Sequence, residues 1–188
     1  MERSVKILGI AGSLRKDSFN RSLLRAATDL VPEGCELETF DIRDLPFYDQ
    51  DHDANPDPHV VAFKSRIRAA DAILFATPEY NYSVPGVLKN AIDCASRPYG
   101  DSAWQGKPAA IMGASSGRGG TMRAQYHLRQ SMVFLNMHPL NMPEVMVANA
   151  MEHFDADGKL IDAKSRDLVA RQLQALVAWT RRLNAAQP

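Results

Sequence analysis

Between Gly12 and Asn20 the chain reads Gly12-Ser13-Leu14-Arg15-Lys16-Asp17-Ser18-Phe19-Asn20. Hydroxyls at Ser13 and Ser18, the amide of Asn20 and the guanidinium of Arg15 stand at the start of a helical pattern. A helix start presents unpaired N–H groups and partial positive charge, so this donor set suits a phosphate monoester. Arg15 adds charge-assisted bonds of bidentate geometry. A plain helix cap, with Asp17 or Ser18 satisfying the orphan donors, explains the same residues, and the loop alone does not separate the two. It does not spell G-x-x-x-x-G-K-[ST], so ATP or GTP hydrolysis is unsupported. Nor does it spell G-x-G-x-x-G, which argues against a dinucleotide across this turn.

Two further segments have the composition of a ligand site. Thr77-Pro78-Glu79-Tyr80-Asn81-Tyr82-Ser83-Val84-Pro85-Gly86 puts two aromatics, an amide, two prolines and a glycine into a stiff loop. Its backbone groups suit the polar edge of a planar ring, with aromatics shaping the surroundings; an ordinary strand–helix loop with its tyrosines packed inward is the alternative. Gly113-Ala114-Ser115-Ser116-Gly117-Arg118-Gly119-Gly120 lets backbone approach a ligand closely. It imitates the glycine pattern of short-chain dehydrogenases, but it follows the fourth strand and the chain holds no Tyr-x-x-x-Lys pair.

The elements that must position these loops alternate between short apolar runs and helical patterns, the mark of a parallel sheet covered on both faces. Strands are expected at Val5–Ile10, Leu37–Phe40, Ala72–Ala76, Pro108–Gly113 and Val145–Val147. Helices are expected over Ser18–Val31, Pro58–Ala70 (apolar at Val60, Val61, Phe63 and Ile67), Pro85–Ser96, Gly119–Leu135 and Asp162–Leu183, the last with Leu168, Leu173, Leu176 and Trp179. Five such units predict an α/β fold: a flavodoxin-like, doubly wound five-stranded parallel sheet of order 2-1-3-4-5 in three αβα layers. The three loops leave strands one, three and four, which are neighbours in that order, at the point where ligands bind in open α/β sheets.

Composition narrows the classes. The 188 residues suit one domain, 1–188, and 45% hydrophobic with 23% charged residues is ordinary for a folded chain, order being expected except over Asn184–Pro188. Lys plus Arg and Asp plus Glu both number 22, so no basic surface for nucleic acid or anionic membrane is expected. No apolar run approaches a membrane span. Cys35 and Cys94 have no metal or redox spacing and read as reduced thiols of a cytoplasmic protein. Tyr48-Asp49-Gln50-Asp51-His52-Asp53 with His59 matches no metal template; it reads as a solvated acidic loop beside the active site. Asp155-Ala156-Asp157-Gly158 opens like an EF-hand but lacks its downstream glutamate, and reads as a turn.

Together the three loops resemble the NADPH-dependent FMN reductase family, and within it the cytosolic quinone and chromate reductases. The resemblance is strongest at Gly12–Asn20, at Pro78–Gly86 with Leu88-Lys89-Asn90-Ala91-Ile92-Asp93 behind it, and at Gln125-Tyr126-His127-Leu128-Arg129-Gln130, and runs from about Val5 to Val147. It implies one non-covalent FMN per subunit and NAD(P)H as co-substrate. It implies Ser13, Arg15, Ser18 and Asn20 at the phosphate, with Phe19 in the same loop. Pro78, Glu79, Tyr80 and Asn81 would line the ring edge, with Ser115 and Gly117 approaching from the third loop. No residue is assigned a catalytic proton or nucleophile, because the cofactor carries the chemistry. The acceptor would be a quinone or a similar small molecule (free flavin, azo compound, chromate). A homodimer or homotetramer is implied, with Arg123, Tyr126 and Glu144 as candidate contacts and a solvated face as their alternative. Arg118 is a candidate partner for the NADPH 2′-phosphate. Two other readings fit the fold: a flavodoxin-type carrier without nicotinamide oxidation, and a flavin-free binding domain.

Overall fold

The structure, a computed structural model, describes residues 4–186. Its strands are β1 (Val5–Ala11), β2 (Cys35–Phe40), β3 (Ala72–Ala76), β4 (Pro108–Ala114), β5 (His138–Pro139) and β6 (Val145–Val147). Its helices are α1 (Phe19–Asp29), α2 (Pro58–Ala69), α3 (Gly86–Ser96), α4 (Met122–Phe134) and α5 (Ala163–Ala185). All strand pairs are parallel in the order β2-β1-β3-β4-β5, and β6 also pairs with β4. The expected flavodoxin-like order is present.

The fifth lane departs from expectation. Two short strands share it: His138–Pro139 beside Pro108–Ala109, and Val145–Val147 beside Met112–Ala114. The chain between them leaves the ladder, and Pro143 has no N–H to donate there. Gln172 of α5 fills the gap, its amide donating to the carbonyls of Ile111 (3.0 Å) and Pro143 (2.9 Å).

Side chains alternate across the central strands, making a core on each face. Ile7, Leu74 and Met112 pack under α1 and α5, while Leu8, Ile10, Ile73, Phe75 and Ile111 pack under α2, α3 and α4. Trp104 is fully buried in the second core, its indole N–H donating to the Ile92 carbonyl at 2.9 Å. On α2 the buried stripe is Val60, Phe63, Lys64 and Ile67, so Val61, expected inside, is half exposed. Positions i, i+3, i+4 and i+7 define the face, and Lys64 falls on it. Its stem is buried while its ammonium reaches the Arg97 carbonyl and Asp101.

Helix starts follow local chemistry. Ser18 caps α1, Asp57 caps α2 ahead of Pro58, and Asp162 caps α5, each accepting a first-turn N–H. Helix α4 begins at Met122 rather than at Gly119, because Gly120 (φ +51°) and Thr121 (φ +72°) are left-handed. Helix α5 continues through Ala185, so Asn184 is helical; Gln187 and Pro188 lie outside the described residues. No helix among the described residues is long and apolar enough to cross a membrane.

Candidate functional site

Strands β1, β3 and β4 end level with one another. Ala11 pairs with Ala76, and Ala76 with Met112. The next N–H groups continue the row: Gly12 donates to the Ala76 carbonyl (2.8 Å) and Thr77 to the Met112 carbonyl (2.9 Å). Three loops therefore leave the sheet side by side at its carboxyl edge. A Cβ at Gly12 would lie 2.9 Å from Leu88 Cδ2, so glycine lets the first loop lie on α3.

In the first loop, Ser13 and Ser18 are nearly buried, at 3% and 5% exposure, with hydroxyls facing backbone donors. Ser13 Oγ accepts from the Arg15 N–H and Ser18 Oγ from the Asn20 N–H, both at 3.3 Å. Arg15 is exposed, and among the described residues its guanidinium has no partner. Phe19 turns its ring inward onto Phe154, with centroids 5.3 Å apart, leaving its N–H at the helix start. The Asn20 side chain turns away from the phosphate loop: its amide donates to the Ala114 carbonyl and accepts from the Ala114 N–H, both at 2.9 Å. The first loop is thereby clasped to the start of the third.

The second loop closes in a two-residue hairpin. Tyr80 and Ser83 exchange both backbone bonds (3.1 and 2.9 Å), and Asn81 (φ +51°) and Tyr82 (φ +64°) are both left-handed. For a residue as bulky as Tyr82 this conformation costs about 1–3 kcal/mol and persists only when neighbours impose it. Arg123 is such a neighbour, its guanidinium 3.6 Å from the Tyr82 ring centroid. Pro78 is buried, while Tyr80, Asn81 and Tyr82 are exposed.

Glu79 does not present its carboxylate outward. It accepts from the N–H groups of Arg123 (2.9 Å) and Ala124 (3.2 Å) and pairs with the Arg123 guanidinium. Burial acts to raise its pKa, but Arg123 and the helix N–H groups outweigh this and hold it below the usual 4.5. A lowered carboxylate pKa stabilises the fold above the unfolded value and loses that contribution as pH falls through the folded value. The stability gap between wild type and Glu79→Gln is therefore expected to be full at about pH 7 and to shrink below about pH 4.5. Urea melts of both proteins at each pH measure it; a gap independent of pH would contradict this ionisation.

The third loop is held from below. Ser115 donates to the Val147 carbonyl (2.9 Å), Ala150 to the Ser115 carbonyl (2.9 Å) and Asn149 to the Gly117 carbonyl (3.2 Å). Gly117 N–H is turned back onto Ser115 Oγ at 3.0 Å. Gly117 and Arg118 are exposed, and among the described residues the Arg118 side chain has no partner.

Other candidates separate from these loops. Arg43 reaches the Leu14 carbonyl (3.4 Å), so the chain after β2 touches the first loop there. The Asp- and His-rich stretch itself is tied to α3: Asn90 accepts from the Tyr48 N–H and donates to the Pro46 carbonyl, both at 2.8 Å. With Arg97 and Cys94 it lines a separate cleft of about 160 Å³. Burial, with Asp93 adding to it, pushes the Cys94 thiol up to about 11, so it is not a reactive thiolate. Both cysteines are free, and no group of three acidic, His or Cys residues among those described is placed to hold a metal. Asp155 to Lys159 form a turn on the Asp155 carboxylate. Tyr126 donates to Glu144 at 2.9 Å within the chain.

Residues 5–152 match the NADPH-dependent FMN reductase family, which covers all three loops. The chain belongs to that family. It is 57% identical to an NAD(P)H-dependent FMN reductase of Pseudomonas aeruginosa, over 97% of this chain and 99% of that one. It is 44% identical to a quinone reductase of Pseudomonas putida, over 99% and 100%. Among solved structures it is similar to the flavoenzyme NAD(P)H:(acceptor) oxidoreductase FerB of Paracoccus denitrificans, with a TM-score of 0.87 and 38% identity over 95% of this chain and 98% of that one. The protein is thus an oxidoreductase of the FMN reductase family, with FMN as its cofactor and NAD(P)H as its co-substrate.

The residues present fit FMN. The open first turn of α1, the nearly buried Ser13 and Ser18 hydroxyls and the unpartnered Arg15 make an anion-binding donor set. Sequence reasoning missed the residues that brace the site: Thr121, Asn149 and the double clasp of Asn20. The partners of Asn20 and Asn149 lie far along the chain, at Ala114 and Gly117, while Thr121, bonded to Gln125 one turn on, had a local signal in the glycine pair before it.

Proposed function

We propose that this protein is an NAD(P)H:quinone oxidoreductase that reduces quinones or similar small acceptors in the cytoplasm. The observation that carries this is the convergence of an anion-binding helix start with two braced loops on one level of the sheet edge. Ser13, Arg15, Ser18 and the N–H group at Phe19 are assigned to the phosphate, with Asn20 holding the loop from below. The backbone from Pro78 to Asn81 takes the ring edge, and Ser115 with Gly117 closes from the other side. When bound, FMN supplies a centre that accepts hydride from NAD(P)H and delivers it to the acceptor. The chain holds the cofactor in place, and its exposed Tyr80 and Tyr82 offer aromatic surface to planar partners. No side chain need act as nucleophile. Both core clusters sit on one sheet, supporting 1–188 as one domain. The exposed Val133 and Phe134 at the end of α4 support a homodimer or homotetramer.

The purified protein is expected to be yellow and to oxidise NADPH when a quinone is present. A colourless protein that also takes up no added FMN would refute the reading. Arg118 is assigned to the NADPH 2′-phosphate, which its free guanidinium at the loop surface supports. Arg118→Ala should lower the NADPH/NADH ratio of kcat/KM by roughly tenfold, the scale of one charge-assisted bond. An unchanged ratio removes Arg118 from that role.

A further inference from the structure

Five contacts lead from the second loop to the first two turns of α4. Glu79 accepts from the N–H groups of Arg123 and Ala124, and its carboxylate pairs with the Arg123 guanidinium. That guanidinium stacks on Tyr82, and Ser83 Oγ meets His127 Nδ1 at 3.0 Å. The Glu79 side chain is 7% exposed, so its carboxylate is shielded from water, whereas on the outer side of the linkage Arg123 is partly exposed and Tyr82 exposed. Helix α4 has no cap of its own: Thr121 is left-handed, makes no side-chain cap bond, and its hydroxyl instead accepts from the Gln125 amide at 3.1 Å. The chain enters α4 directly from the Gly117–Gly120 stretch.

We propose that Glu79 is a positioning residue whose carboxylate bolts the ring-side turn at Asn81–Tyr82 to the start of α4, fixing the spacing between the second and third loops. This rests on the flavin reading and reassigns the Glu79 side chain from touching the ring to setting the width of the slot that holds it. A helix start has several orphan donors and partial positive charge, and a buried carboxylate satisfies both at once. Because the carboxylate belongs to another loop, the cap also ties two parts of the site together. Water cannot replace it without entering a closed contact. Remove it, and Arg123 is released from the Tyr82 face, α4 loses its only side-chain cap among the described residues, and the two loops are free to part.

The experiment compares wild type, Glu79→Gln, Glu79→Ala and a control, Asp162→Ala, which strips a similar cap from α5, where Asp162 accepts from the Ser165 N–H at 2.7 Å. Each protein is titrated with FMN by fluorescence quenching, its visible circular dichroism is recorded with FMN in excess, and its Tm is measured without flavin. Glu79→Ala is expected to weaken FMN binding about tenfold and change the flavin dichroism. Glu79→Gln, which keeps an acceptor for the helix, should lose about threefold. Asp162→Ala should lower Tm and leave FMN affinity and dichroism at wild-type values. If Glu79→Ala lowers Tm while affinity and dichroism stay as in wild type, the carboxylate is only a cap and the proposal is overturned. Should Glu79→Ala not fold, wild-type affinity and dichroism in Glu79→Gln overturn it equally. A wild type that fails to quench FMN refutes the flavin reading itself.

Discussion

Asn20→Leu is expected to lower stability by about 2–5 kcal/mol and to weaken FMN binding at least tenfold. The reason lies in the edge of β4. Alternate residues of β4 point their peptide groups toward β3, and Met112 accepts there from Thr77. Two residues on, Ala114 would meet the next rung, but β3 has ended at Ala76. The Asn20 amide takes the place of the missing strand, donating to and accepting from Ala114 at 2.9 Å. Asn20 and Ala114 are 2% and 3% exposed, so water does not stand in for the lost amide. Leucine has nearly the same shape and neither bond, leaving a buried N–H and a buried carbonyl unpaired, at about 1–3 kcal/mol each. The same change unclasps the phosphate loop from the third loop. Urea denaturation and FMN titration measure the two effects; wild-type values in both would show that the clasp contributes nothing.

The second large effect is steric. Gly113 lies between β3 and the start of α4, and a Cβ there would sit 2.6 Å from the Thr77 carbonyl oxygen and 3.0 Å from Thr121 Cβ, and against Thr121 Oγ1. One obstacle is backbone, and the other is a side chain 1% exposed and bonded to Gln125. Neither yields cheaply. Gly113→Ala is therefore expected to cost about 1–3 kcal/mol and to push the second and third loops apart, with weaker FMN binding. Gly86→Ala is the matched comparison, because nothing lies within 4 Å of its Cβ and it opens α3. It should be neutral or slightly stabilising, since alanine reduces the freedom of the unfolded chain. Thermal melts of the pair, with FMN titrations, test this. Equal behaviour of the two variants would mean that the Gly113 contact relaxes freely.

These expectations show where the sequence was readable. The candidate phosphate loop stood out because its donors are local: Ser13, Arg15 and Ser18 stand within six positions of one another and a helix begins directly after them. Strand order was legible because short apolar runs alternating with helices leave few ways to close a parallel sheet. Val61 misled because it is apolar one position off the buried stripe, while Lys64 lies on it and satisfies its ammonium on Asp101 and the Arg97 carbonyl. The split fifth lane was hidden because His138–Pro139 has no apolar run, and its place depends on β4 and on the amide of Gln172. The roles of Asn20 and Glu79 were hidden for a related reason. Side-chain type shows what a residue can bond, and their partners lie 94 and 44 residues away.

By itself, the sequence determined the sheet order and the family the chain belongs to, and it marked Gly12–Asn20 as the candidate phosphate loop, since patterning and motif act over short distances. Tertiary structure alone decided which of the site's polar side chains stay open to solvent and which hold the loops. Arg15 was left free, while Asn20 and Glu79 were turned inward. The physical reason is that a buried N–H, carbonyl or helix start must find a partner wherever the fold brings one. That demand is settled only when distant segments meet.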